Sequence, residues 1–413
     1  MDQPHRPARP RLHAGRLGVV PLALSALLGL GACSSGGPPP PDATALRAYA
    51  ARGYSPLVHE EVTTTAQEWP VGLQTVHGLL SRPQRGAPLP LVVYLPGLGE
   101  TAAAGAAWRQ AWAAAGYAVL ALQPLAEDAA AFRSELARVG DFRALGLQRY
   151  GAAAMAQRVQ VLADVLAQAQ RRGTAGDAAW QGIAWDRVAV AGYDLGAYTA
   201  MVLAGEAVRG AGPAPTPVAV KAAIALSPYA SVAEGALATR YAGIAGPVLS
   251  VTSDSDGDAL GLVGAPALRY APFEHMPGPG KALLAMQGLS HARLSGGGGV
   301  QEAAAKAPER DPGTPADDGS GRNRNGGNGG GNGNGRHRQG AEGPGPQALR
   351  SDAADAGVVA GLGATAVELR LLAVQDVSTA FLDAYVKDDA LARDWLAGHA
   401  AGWLGRLGEL RLK

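Results

Sequence analysis

The stretch Asp186–Ala200, DRVAVAGYDLGAYTA, decides how this chain reads. Val188, Ala189, Val190 and Ala191 are β-branched or small and apolar, the composition of a short buried strand. The run stops at Gly192, Gly196 follows four residues later, and Ala197–Ala204 has helix composition. Strand, sharp Gly-x-x-x-Gly turn and helix together lift the central residue, Asp194, out of the end of a sheet. The turn residue takes a strained conformation, and a Cβ at either glycine would collide with the bend.

Outward from this stretch, apolar runs of strand length alternate with helical segments. Val58–Thr65 and Val71–Ser81 read as two antiparallel edge strands. Leu89–Leu95 (LPLVVYL) is a continuous apolar run, as in a strand covered on both faces. It ends in the breakers Pro96-Gly97-Leu98-Gly99. A helix at Ala102–Ala115, with Thr101 as its cap, leads to a strand at Tyr117–Leu122, and Gly151–Arg171 is a long Ala-rich helix. Further strands lie at Ala219–Ala225, Pro247–Thr252 and, as the last, Ala282–Gln287. Alternation of this kind predicts an α/β fold with a mostly parallel central sheet and helices on both faces. Beyond it, Leu371, Val374, Phe381 and Tyr385 share one face of a helix over Val367–Tyr385, which is expected to pack back on the sheet.

Composition fits one α/β core in a 413-residue chain. A net charge of +1 with 17% charged residues argues against a nucleic-acid partner. The 58 glycines are unevenly spread, and many fall in one block. Residues 296–350, which include NGGNGGGNGNG, hold too few large apolar side chains to offset their ordering entropy and read as a disordered insertion. Five regions follow: a leader at 1–33, a tether at 34–42, a core at 43–295, the insertion, and C-terminal helices at 351–413 that complete the core domain.

The leader has Arg6, Arg9, Arg11 and Arg16 ahead of the apolar run Leu17–Leu30, which is short for a permanent membrane span. Leu30-Gly31-Ala32-Cys33 resembles a bacterial lipobox, in which the cysteine is lipidated. Cys33 is the only cysteine, so no internal disulfide forms. The resemblance implies a cell-envelope protein facing the periplasm, held to a membrane through Cys33, with Ser34 favouring the outer membrane over the inner.

In order along the chain stand PGLG (96–99), GYDLG (192–196), SDSDGD (253–258) and GLSHA (288–292). Together these resemble the α/β-hydrolase superfamily, near the dienelactone hydrolase and platelet-activating-factor acetylhydrolase-like group. That resemblance covers roughly Ala43–Ser295 and the C-terminal helix. It implies a nucleophile at Asp194, a histidine after the last strand at His291, and an acid after the preceding strand, Asp256 first and Asp254 second. Backbone donors for developing negative charge would be the N–H groups of Leu98 and Leu195. No cofactor and no metal is expected. Three alternate acids in SDSDGD suggest calcium, but the loop lacks a further acidic ligand. Ser227, in ALSPYA, reads as a turn residue because no glycine elbow surrounds it. Tyr193 and Tyr198 flank the elbow, Glu100 lies at the pocket mouth or caps the next helix, and 127–150 forms a small lid.

Relatives in that group carry Ser where this chain has Asp194. A carboxylate attacking an ester carbonyl would yield a mixed anhydride, whereas displacement at saturated carbon yields an alkyl ester that an activated water cleaves. The haloalkane dehalogenase and epoxide hydrolase branches work this way. They usually have Trp where this chain has Leu195, and a helical cap larger than the roughly twenty residues between Ala225 and Pro247 allow. Three readings stand: a hydrolase of a small ester-like or related substrate with an Asp194–His291–Asp256 triad; a dehalogenase or epoxide-hydrolase type reaction on the same residues; and a binding or structural lipoprotein that has lost activity. The expected partner is a small-molecule substrate; oligomeric state is not legible.

Overall fold

A computed structural model of the chain describes residues 41–84, 86, 88–212, 218–297 and 347–413, with 347–362 as backbone only. The leader, Cys33, most of the tether, and residues 298–346 of the Gly/Asn-rich segment lie outside the described residues. Residues 347–350, read from sequence as the end of a disordered insertion, are instead the first turn of a helix that starts at Gln347.

Nine strands form one sheet: β1 Val62–Val71, β2 Gln74–Pro83, β3 Leu89–Leu95, β4 Ala118–Leu122, β5 Ile183–Tyr193, β6 Val220–Leu226, β7 Val248–Ser253, β8 Lys281–Met286 and β9 Gly408–Leu412. Their order is β1-β2-β4-β3-β5-β6-β7-β8-β9. From β4 to β8 all neighbours are parallel, while β1/β2, β2/β4 and β8/β9 are antiparallel. This is an α/β fold with a mixed, mostly parallel sheet, the class the alternation predicted.

Period-two side-chain alternation explains why the central strands read as unbroken apolar runs. In β3, Leu91, Val93 and Leu95 pack into one core while Val92 and Tyr94 pack into the other. In β5, Val188 and Val190 face one side and Ala189, Ala191 and Tyr193 the opposite side. The first core is covered by the helices Ala152–Thr174 and Leu195–Leu203. The second is covered by Ala106–Ala114, by Ala390–Gly398 and by the C-terminal part of Gln347–Val386, a helix interrupted at Gly363 (φ 70°, ψ 151°).

Two expectations need correction. The helix after the PGLG turn starts at Ala106 because Gly105, at φ 67°, stands at its N-cap. Thr101 therefore caps nothing; its Oγ1 accepts the Ala103 N–H at 3.3 Å in the preceding turn. Nor is β8 the last strand. β9, GELRL, adds antiparallel to it and pairs Gly408 through Leu412 with Met286 through Ala282.

The elbow glycines are there for space. A Cβ on Gly192 would overlap the backbone of Gly196, and a Cβ on Gly196 would overlap the carbonyl of Leu95 at the end of β3. Every atom hit is backbone, so no side chain can swing away. Gly196→Ala is expected to cost about 3 kcal/mol, read as a lowered denaturant midpoint at unchanged m.

Candidate functional site

Each residue assigned a role sits just past the C-terminal end of a parallel strand: Leu98 after β3, Asp194 after β5, Asp256 after β7 and His291 after β8. β4 lies on one side of β3 and β5 on the other, so the chain reverses its direction of winding beside the PGLG turn. A crevice forms at such a switch point outside the strand ends, where open α/β sheets bind ligands.

Asp194 has φ 52° and ψ −111°, a conformation costly for a residue with a Cβ. Its N–H donates to the Leu226 carbonyl at 3.0 Å, which ties the bend to β6. The strained backbone turns the carboxylate toward His291, whose Nε2 is 3.9 Å from Asp194 Oδ1. On the far side of the imidazole, Nδ1 is 2.7 Å from Asp256 Oδ1. The Asp194 side chain is 15% exposed and that of His291 23%, whereas Asp256 is fully buried. The partly exposed Asp194 carboxylate, the imidazole 3.9 Å from it and the sealed Asp256 carboxylate behind the ring thus follow one another.

The acids of SDSDGD face three ways. Asp256 Oδ2 also accepts from Thr252 Oγ1 at 2.7 Å. Asp254 accepts the Gly288 N–H at 2.7 Å and so holds the loop carrying His291, without reaching the ring. Asp258 accepts the backbone N–H of Leu260 and Val263.

Of the two backbone donors, Leu98 N–H points at Asp194 Oδ2 over 3.4 Å. Leu195 is the first residue of its helix, so its N–H has no partner within the helix. The Asp194 carboxylate thus rests one oxygen on the turn and presents the other to the imidazole.

Sequence reasoning missed several residues here. Tyr150, at the end of the helix Phe142–Tyr150, donates its hydroxyl to Asp194 Oδ1 at 2.6 Å. Burial first, then the negative charge of Asp194, raise its pKa well above the ordinary tyrosine value, so it stays a proton donor. Its ring is fixed against Tyr229 (4.7 Å) and Tyr198 (6.1 Å), rings that also flank the Arg240 guanidinium. Ser227, expected as a turn residue, does close β6 at φ 57°. Its hydroxyl also lies 2.8 Å from Asp256 Oδ1 and 2.9 Å from His291 Nδ1. A serine, a histidine and an aspartate thus meet, but Ser227 is fully buried and touches the inner ring nitrogen, so it orients the imidazole rather than attacking substrate. Tyr193 donates to the His291 carbonyl at 2.9 Å, and Glu100 accepts the Gly97 N–H at 2.8 Å and so braces the PGLG turn.

Burial alone would lower the His291 pKa. The hydrogen bond and charge of Asp256 and the charge of Asp194 outweigh it, Arg269 opposes them, and the net direction is upward. Asp256 is pushed up by burial but held below its usual range by Arg269 and His291. Glu100 is raised to about 7 by burial, with Asp194 adding to the rise. Burial likewise raises Asp376, on the helix Gln347–Val386, to about 7.

The last two bind a proton in the fold that the unfolded chain has already released. Stability from them is complete below their ordinary values of 4.5 and 3.8 and is lost as pH rises toward 7. Asp256 acts oppositely: its contribution is present above about pH 4 and fades as pH falls through its depressed value. The unfolding midpoint is therefore expected to peak in mildly acidic buffer and to fall on both sides, and a thermal scan series across pH checks it.

Among the described residues, no group of three or more His, Cys, Asp or Glu side chains is arranged to hold a metal ion. No protein-family model matches the chain, and no curated protein matches it.

Proposed function

We propose that this protein is a hydrolase of the α/β-hydrolase superfamily that acts on a small molecule through a covalent ester on Asp194, with His291 and Asp256 activating the water that cleaves it. The observation that carries this reading is the strained presentation of the Asp194 carboxylate in front of His291, with Asp256 2.7 Å behind the ring. Asp194 Oδ1 would displace a leaving group from a saturated carbon, the reaction for which a carboxylate is a competent nucleophile. Tyr150, which donates to the attacking oxygen, orients the carboxylate, and where the leaving atom is oxygen its proton comes from solvent.

In the second half, His291 Nε2 takes a proton from water and the hydroxide oxygen adds to the Asp194 carboxyl carbon. Negative charge then collects on Oδ2, against the Leu98 N–H. Collapse breaks the bond between carboxyl carbon and Oδ1, and the departing alkoxide takes the His291 proton. The carboxylic acid left behind, which holds the oxygen from water, releases its proton to solvent to restore the carboxylate.

Wild type, Asp194→Ala and Asp194→Ser are to be compared on short p-nitrophenyl esters, terminal epoxides and haloalkanes. Wild-type turnover of an epoxide or haloalkane that disappears in Asp194→Ala supports the reading. Turnover that survives in Asp194→Ala ends it. A wild type silent on all three classes beside a Ser variant that cleaves esters points to a hydrolase scaffold that lost its activity.

Export and anchoring belong to the same proposal and rest on sequence: a basic, apolar leader ending in Leu30-Gly31-Ala32-Cys33. Among the described residues, no helix is long and apolar enough to cross a membrane. Cys33→Ala should abolish lipid labelling and release from the membrane fraction whatever is anchored there.

A further inference from the structure

A histidine between two carboxylates has a difficulty that a histidine between a serine and a carboxylate does not. Each added negative charge favours imidazolium, and an imidazolium cannot take a proton from water. Here Asp194 stands on one side of His291 and Asp256 on the other. The remaining neighbours are the buried Ser227 hydroxyl, the Tyr193 ring at 5.1 Å, Glu100 in the turn after β3, Arg293 on the histidine's own helix, and Arg269.

Arg269 lies in a short 3-10 helix, Pro266–Tyr270, and only 1% of its side chain is exposed. It does not fork onto a carboxylate. Its guanidinium donates to four backbone carbonyls, those of Asp256 (3.1 Å), Ser227 (3.2 Å), Pro228 (3.0 Å) and Gly257 (3.3 Å). From that frame Nε is 3.3 Å from Asp256 Oδ1, the same oxygen that faces His291 Nδ1 at 2.7 Å. A cation held by carbonyls contributes its charge while leaving Asp256 free to keep the imidazole.

We propose that Arg269 is the counter-charge that lets an elbow built on Asp rather than Ser keep a histidine able to act as a base. Counted over Asp194, Asp256 and Arg269 alone, with both carboxylates ionised, the charge around a neutral His291 is a net −1. A serine elbow with one carboxylate carries the same charge without an arginine. Arg269 thus offsets the second negative charge that the Asp194 substitution brings. The proposal rests on His291 serving as the base in the reaction above, but its test does not need turnover.

The measurement is an NMR titration of the imidazole of His291 in the purified protein, its signal assigned by its loss in His291→Gln. Arg269→Gln is expected to raise the His291 midpoint by about one pH unit, and Arg269→Lys, which keeps the charge and loses the carbonyl frame, to leave it close to wild type at a lower melting temperature. Asp194→Ser should lower the midpoint, and adding it to Arg269→Gln should return the value toward wild type. A folded Arg269→Gln whose His291 midpoint does not move overturns the proposal. Should that variant fail to fold, Asp194→Ser decides: an unmoved midpoint there means that Asp194 contributes no charge needing compensation. A protein inactive on every substrate but showing these shifts would refute the catalytic reading and leave the electrostatic one standing.

Discussion

His291→Gln is expected to react once and stop. Displacement at carbon needs only the Asp194 carboxylate, whereas the ester it leaves needs a base to activate water. Without the imidazole the adduct accumulates, and intact-mass measurement should show Asp194 carrying the alkyl group of the substrate. Turnover should fall by about 10⁴-fold or more, as when a member of such a constellation is removed. Glutamine fills similar space and can still donate toward Asp256, so the fold should survive, which circular dichroism checks. Isotope gives a second readout. In a single turnover of wild type in ¹⁸O-water the label should enter Asp194 and not the product, because the product keeps the original Oδ1. Label found directly in the product would mean that water attacks the substrate itself.

Asp128→Ala is expected to give the largest loss of stability of any substitution considered. Asp128 is fully buried and holds two arginines: Arg149 at 2.6 Å, and Arg158, itself 1% exposed, through two bonds. Truncation leaves two cations without a counter-charge, and breaking such a pair costs about 3–5 kcal/mol. Denaturant unfolding should show that loss. A shift below about 1 kcal/mol would mean that solvent reaches the cluster and the ion pairs are weak. Asp128 also reaches the site: its carbonyl accepts the Gly99 N–H at 2.8 Å, and Arg149 precedes Tyr150. Activity in Asp128→Ala should therefore fall even at temperatures where the protein remains folded.

The elbow was legible because the two glycines recur at a fixed four-residue spacing in the strand-to-helix bend: Gly192 has no room for a Cβ against Gly196, although Gly196 in turn is constrained by the distant backbone at the end of β3. His291 and Asp256 were legible because each follows an apolar run of strand length. Tyr150 was not, since it is 44 residues from Asp194 and only tertiary packing of the helix Phe142–Tyr150 brings them together. Arg269 and the hydroxyl role of Ser227 were hidden for the same reason. The 127–150 segment was visible as a candidate lid, but not that it carries a donor for the elbow carboxylate. β9 escaped because GELRL shows barely one cycle of alternation, too short to stand out from a polar tail. Thr101 misled because Ala102–Ala104 looks like the start of a helix, and the left-handed turn at Gly105 overrides that propensity.

The arrangement of the sheet also bears on how copies of this protein behave when crowded at high concentration. An open sheet ends in unpaired amides and carbonyls that invite another chain to extend the ladder. Here the two outer strands are β1 and β9. β1 carries the run Thr63-Thr64-Thr65, then Glu68 and Pro70, whose nitrogen has no hydrogen to donate. β9 spans five residues and includes Glu409 and Arg411. The apolar strands that would template aggregation, β3 to β8, lie inside, flanked by polar, charged or interrupted edges. Edges of this composition are poor templates for edge-to-edge strand addition between copies.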